Sequence, residues 1–194
     1  MNLKPRAIIL LAIDAFGGQV GGKTLLQKRL YFAEILIKEN LGFDFDAHYY
    51  GPYSAIINSE LLTLKLQGQL REEASTYGRL DASGFEMRRF RYELTPEGSA
   101  GVEWLRQNYE EEASRVTTAA KRVVDAGNLD YMDLSFAAKS YWILCQTQKP
   151  LSDGDIAKEA PRFGWQVKPE QVHRGVEFLH KVGLVQYAPV TATT

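Results

Sequence analysis

The stretch from residue 23 to residue 66 constrains this chain most. It opens with Lys23-Thr24-Leu25-Leu26-Gln27-Lys28-Arg29-Leu30-Tyr31-Phe32-Ala33 and runs on to Tyr49-Tyr50-Gly51-Pro52-Tyr53-Ser54. Leu26, Leu30, Ala33 and Ile37 recur at three- and four-residue steps, so one face of a helix over residues 24–39 is apolar. Lys28 and Arg29 then fall on the outward side, either solvated or against phosphate. Phe43, Phe45 and Ala47 alternate with Asp44, Asp46 and His48, which is an extended pattern. Gly51-Pro52 breaks it, because proline drives the preceding residue from helical angles and presets a helix start. A helix over residues 53–66 follows. Ile56, Ile57, Leu61 and Leu64 form its core stripe; Tyr53, Ser54, Asn58, Ser59 and Lys65 face outward.

Upstream, Pro5 suits a first helical turn, residues 7–16 form a helix, and Gly17-Gly18 stops it. Residues 17–24 also fit the phosphate-loop pattern G-x-x-x-x-G-K-S/T. Lys23 would reach terminal phosphates and Thr24 a magnesium ion. Such a loop belongs to a parallel sheet with repeated strand–helix units. No series of buried apolar strands follows residue 24, so the expectation is a glycine-rich turn between helices, with no cofactor.

Downstream, residues 69–73 and 86–94 pair as a hairpin, with residues 74–85 as its long tip. Phe90, Tyr92 and Leu94 point inward; Arg89, Arg91 and Glu93 point outward. Thr95-Pro96-Glu97 is a helix start with an N-cap, proline in the first turn and an acid. Three helices followed by a two-stranded hairpin is the order of a winged helix, a helix-turn-helix relative. The expected class is mainly α with small β wings, and residues 1–100 make the winged-helix-like domain.

The run from Lys23 to Ala33, followed some twenty residues on by Tyr50-Gly51-Pro52-Tyr53-Ser54, resembles the YwgA-like bacterial proteins. It is more distantly similar to the Panacea domains of proteolysis-promoting antitoxins. The matched positions are Leu26, Gln27, Lys28, Leu30, Tyr31, Tyr50, Gly51 and Pro52, and the likeness spans roughly residues 7–98. Arg29 stands where the antitoxin-like pattern usually has an apolar or small residue. The resemblance implies a helical, winged-helix-like architecture and a regulatory binding role without catalysis.

Beyond residue 98 a long helix is expected, with residues 101–127 linking two domains. Val102, Tyr109, Val116 and Val123 recur every seven residues, a partial heptad seam that packs on its own chain or makes a homodimer. Residues 128–188 read as a smaller helix-turn-helix with a rudimentary wing at 184–187. Ser152 to Asp155 is a capping box. Cys145, within Trp142-Ile143-Leu144-Cys145, reads as a core thiol. His173 and His180 are too far apart to share a metal. Residues 189–194 read as a disordered tail.

Composition narrows the function. Formal net charge is -1, so no global field draws the chain to nucleic acid or an anionic membrane. One cysteine excludes an internal disulfide and suits a reducing compartment, and no signal peptide or membrane span is read. The expected place is the cytoplasm. No paired carboxylates, nucleophile–base set or metal cluster points to an enzyme. Two binding readings stand. In the first, DNA is bound through Lys28, Arg29, Tyr53, Ser54, Asn58 and Lys65, with Arg88, Arg89 and Arg91 of the wing on phosphates. In the second, a protein partner docks on Tyr49, Tyr50 and Tyr53, since tyrosines are frequent interface anchors. Nucleotide binding through Lys23 and Thr24 is the third.

Overall fold

The computed structural model describes residues 1–80, 86–127 and 129–186, with backbone alone for 75–80 and 86–89. The architecture is mainly helical, with one small antiparallel sheet. Helix α1 (Pro5–Ala15) starts on Pro5, and Ile8 through Ile13 are all buried. A helix buried on every side belongs at the centre of a core. Gly17 and Gly18 take positive φ (95° and 78°), which turns the chain into the two-residue strand β1 (Gln19–Val20). Helix α2 (Lys23–Ile37) follows and ends at Lys38, itself left-handed at φ 59°.

Residues 43–54 form no strand: Asp44 is left-handed at φ 49°, residues 49–52 turn, and one antiparallel bridge joins Asp46 to Tyr53. Helix α3 (Ala55–Leu66) leads to strands β2 (Leu70–Leu80) and β3 (Glu86–Leu94). The sheet order is β1-β3-β2, all antiparallel, with Val20 and Glu72 on either side of Tyr92. Tyr92 is buried as expected, but Phe90 is exposed. The reason is that β1 ends opposite Tyr92, so Phe90 lies beyond its last paired residue. The hairpin pairs well past residue 73. The tip at 81–85 lies outside the described residues, as do the side chains of Arg88 and Arg89.

The single long helix expected after residue 98 is two helices. Helix α4 (Pro96–Asn108), capped by Thr95, is separated from α5 (Glu110–Asp125) by Tyr109 at φ -138°, ψ 50°. The break lets α4 lie on α1 and β3 while α5 turns across α1 and α2. Val102, Val116 and Val123 are buried within the chain's own core, so the seven-residue seam is internal. That face is taken and does not serve a homodimer.

Helix α6 (Tyr131–Thr147) is capped by Asp130. Helix α7 (Asp153–Glu159) is capped by Ser152 and runs into a 3-10 turn at Ala160–Phe163; α8 is Pro169–Lys181. Val172, Val176, Leu179 and Val182 are buried as their spacing predicts. Residues 184–186 form no strand, and Tyr187 and the tail lie outside the described residues. Cys145 is exposed, contrary to the core reading, because α6 buries Ile143 and turns Cys145 away. Ile56 is half-buried; Ile57 is the core residue of that turn. No described helix is long and apolar enough to cross a membrane.

Two glycines set the closest approaches to backbone. A Cβ on Gly98 would meet Gln69 O at 2.1 Å, and one on Gly175 would meet Ala137 N at 2.7 Å. Both clashes are with backbone, which cannot swing aside. Gly98→Ala is expected to lower stability to urea by about 2–3 kcal/mol. An unchanged unfolding midpoint would contradict the packing of α4 on the β2 start.

Candidate binding surface

The side chains that organise this surface come from the second turn of α2. Gln27 grips Ser54 at two points: its Nε2 donates to Ser54 O (2.8 Å), and its Oε1 accepts from Ser54 N (3.0 Å). Ser54 Oγ donates to Phe43 O and accepts from Ile57 N at 3.2 Å, so the same residue caps α3. Lys28 Nζ donates to Pro52 O at 2.5 Å. Gly51, at φ 91°, closes the turn by donating its N–H to His48 O (2.8 Å). Trp165 Nε1 donates to His48 O from the other side. The Gln-Lys pair and the Tyr-Gly-Pro-Tyr-Ser turn are therefore one hydrogen-bonded unit.

Three expected surface residues are thus corrected. Lys28 (1% exposed), Arg29 and Ser54 are buried, not on a solvated face. The cause is that α2 is packed by α5, α6 and β1 around its girth. The Arg29 guanidinium lies 5.2 Å over the Phe16 ring. Burial, with Lys139 close by, pulls the Lys28 ammonium down to about 7, and burial lowers Arg29 and Lys139 too.

The remaining DNA-reading residues are scattered or engaged. Asn58 Nδ2 donates to the Tyr53 hydroxyl, and Lys65 is paired with Glu72 at 3.0 Å. Arg91 is exposed on β3. The solvent stripe of α3 is Ala55, Ser59, Leu62 and Leu66, at helical spacing and without a charge. Leu62 is 53% exposed and Leu66 80%.

The tyrosine cluster does assemble. Tyr49 is 72% exposed, and its ring centre is 4.9 Å from that of Tyr50. Tyr50 is in turn 6.3 Å from Tyr131, at the start of α6. Tyr53 turns instead to His48, 4.9 Å between ring centres. Tyr131 is not legible as a member, since 77 or more residues separate it from the others and the packing of α6 against the turn brings them together.

The glycine-rich segment holds β1 on β3. A hollow of about 220 Å³ beside it is lined by Asp14, Gly17, Gly18, Gln19, Glu93, Leu94 and Ser99. Carboxylates there repel phosphate, and neither Lys23 nor Thr24 lines it. Among the described residues no group of three or more His, Cys, Asp or Glu could hold a metal ion. His173 pairs with Asp153 at 3.0 Å.

Gln27→Met keeps the volume but strands the buried N–H and C=O of Ser54. It is expected to lower stability by about 3 kcal/mol by urea denaturation. Lys28 gives a pH signature. Unfolded, it keeps its proton to about its ordinary 10.5; folded, it releases it near 7. Between those values the unfolded chain binds more protons, so stability rises with pH. Tyr141, half-buried and raised to about 12 by burial, acts in the opposite sense only at higher pH, above about its ordinary 10. The urea midpoint of the wild type should therefore climb from pH 7 to about 9, and Lys28→Met should lose most of that climb. Equal slopes would place the Lys28 ammonium in water.

Comparison with protein-family models and with curated proteins finds no match to this chain.

Proposed function

We propose that this chain is a non-enzymatic regulatory protein with a winged-helix core, and that it binds another protein. The order α1-β1-α2-α3-β2-β3, with β1 beside β3, supports the winged-helix reading. The resemblance to YwgA-like proteins, and more distantly to the Panacea domains of antitoxins, supports a regulatory binding role. The observation that carries the choice of partner is the solvent stripe of α3, the position of a recognition helix. Leu62 and Leu66 stand out from it, and the one lysine of the helix, Lys65, lies beside the stripe and is tied to Glu72. Major-groove recognition needs donors, acceptors and cations on that stripe. Exposed leucines with a nearby tyrosine cluster suit an apolar protein surface.

DNA binding is the second reading, and the exposed Arg91 on the wing favours it. A photo-cross-linker at Leu62 or Tyr50, expressed in the source cells, identifies the partner. Leu62→Asp with Leu66→Asp should then weaken that purified partner's binding by about tenfold or more, with the melting curve unchanged. Duplex DNA should bind weakly and indifferently to these changes. Tight, salt-dependent DNA binding that falls in Arg91→Ala and survives the leucine changes would reverse the choice.

A further inference from the structure

The stems of two buried lysines come together in this fold, and among the described residues no acid is paired with either. Lys28 is 1% exposed and Lys139 is 8% exposed. Their stems flank one atom: a Cβ on Gly51 would lie 3.2 Å from Lys139 Cγ and 3.7 Å from Lys28 Cε. Lys28 places one hydrogen on Pro52 O, which explains its presence as a latch for the turn. Nothing comparable explains Lys139. Its Nζ stands 5.8 Å over the Trp165 ring, and among the described residues no carboxylate acts on either lysine. An ammonium offers three donors, and buried cations are as a rule met by an anion. A methionine would fill the path of Lys139 without that conflict.

The site lies beside a partly exposed aromatic pair. Tyr131, Ser135 and Lys139 follow one another at four-residue steps along α6, from an exposed ring to a buried ammonium. The Ser135 carbonyl lies beside Gly51, and Tyr131 meets Tyr50 of the same turn. The Tyr50–Tyr131 pair and the two lysines thus flank the same turn, with buried Ser135 between Tyr131 and Lys139 along α6. We propose that Lys28 and Lys139 form an anion-binding site beneath the turn at residues 49–52, and that its ligand is the carboxylate of a glutamate or aspartate side chain on the protein partner. The assignment rests on the protein-binding function proposed above, but its test does not need the partner.

The probes are blocked glutamate (N-acetyl-glutamate methylamide), the matching blocked glutamine, and inorganic phosphate, each titrated into the full chain. Blocked glutamate near ten times its Kd should raise Tm by about 3 to 5 °C. Blocked glutamine should not. Lys139→Met should abolish the rise while melting no lower than wild type without probe, since it removes a buried unpaired charge. In the unaltered chain the NMR amide signals of Gly51, Ser135 and Lys139 should shift with one common midpoint. A rise that persists in Lys139→Met, or an equal response to blocked glutamine, would remove the site. Stabilisation by phosphate with none by blocked glutamate would remove the carboxylate assignment. If the leucine changes on α3 weaken the partner while glutamate has no effect, the lysine site falls and the protein-binding function stands.

Discussion

The two-point grip of Gln27 on Ser54 is the constraint from which the N-terminal half follows. An amide side chain on a helix here does what a neighbouring strand would do, meeting both the N–H and the C=O of one residue. Buried peptide groups need such partners. With Ser54 fixed, its hydroxyl caps α3, so the start and direction of that helix are set from α2. The end of α3 then delivers Leu70 to the sheet, and Gln69 O receives both Thr95 N–H and the close approach of Gly98. Loosening one glutamine therefore loosens the hinge on which α3 and the hairpin are hung.

Helix α2 also joins the two ends of the chain. Leu26 and Leu30 pack into the core around α1, while Phe32 packs edge-on against Phe178 of α8 at 4.9 Å. A helix with cores on both sides has little room for a solvated face. That is why its basic residues run inward along their aliphatic stems, Lys28 to a carbonyl and Arg29 to a ring. Helix α5 shares the same core, and this demands the break at Tyr109.

Much of this could be read from the sequence wherever the signal was local. The Gly51-Pro52 break and the Thr95 and Ser152 caps each depend on a few adjacent residues, and each is found where the residues place it; the hairpin is found too, but its strands pair beyond the expected end at residue 73. What was not legible depended on surroundings. Periodicity marks a helix's apolar stripe but does not say how many neighbours surround the helix, so Lys28 and Arg29 read as outward. A seven-residue repeat marks Val102, Val116 and Val123 as buried, yet it is blind to a bend at Tyr109 between them. Cys145 shares an apolar run with Ile143 but lies two positions along a helix, and so on another side. For the candidate surface, Tyr49 and Tyr50 were legible as a pair, whereas Tyr131 and Lys139 required the packing of α6.

The distribution of charge decides what kind of recognition remains open. Arg106 is paired with Asp14, Arg115 with Glu39, Arg71 with Glu93 and Arg174 with Asp133. Each exposed pair contributes little to stability, about 0–1 kcal/mol. Together they cancel the local fields that would gather phosphates or hold a polyanion at a distance. What stands out against this neutralised background is apolar or aromatic: Tyr49, Leu62, Leu66 and Trp104. A surface arranged in this way discriminates by shape and desolvation at short range; among the described residues, Lys28 and Lys139 under the tyrosine turn are a pair of basic groups with no acid partner.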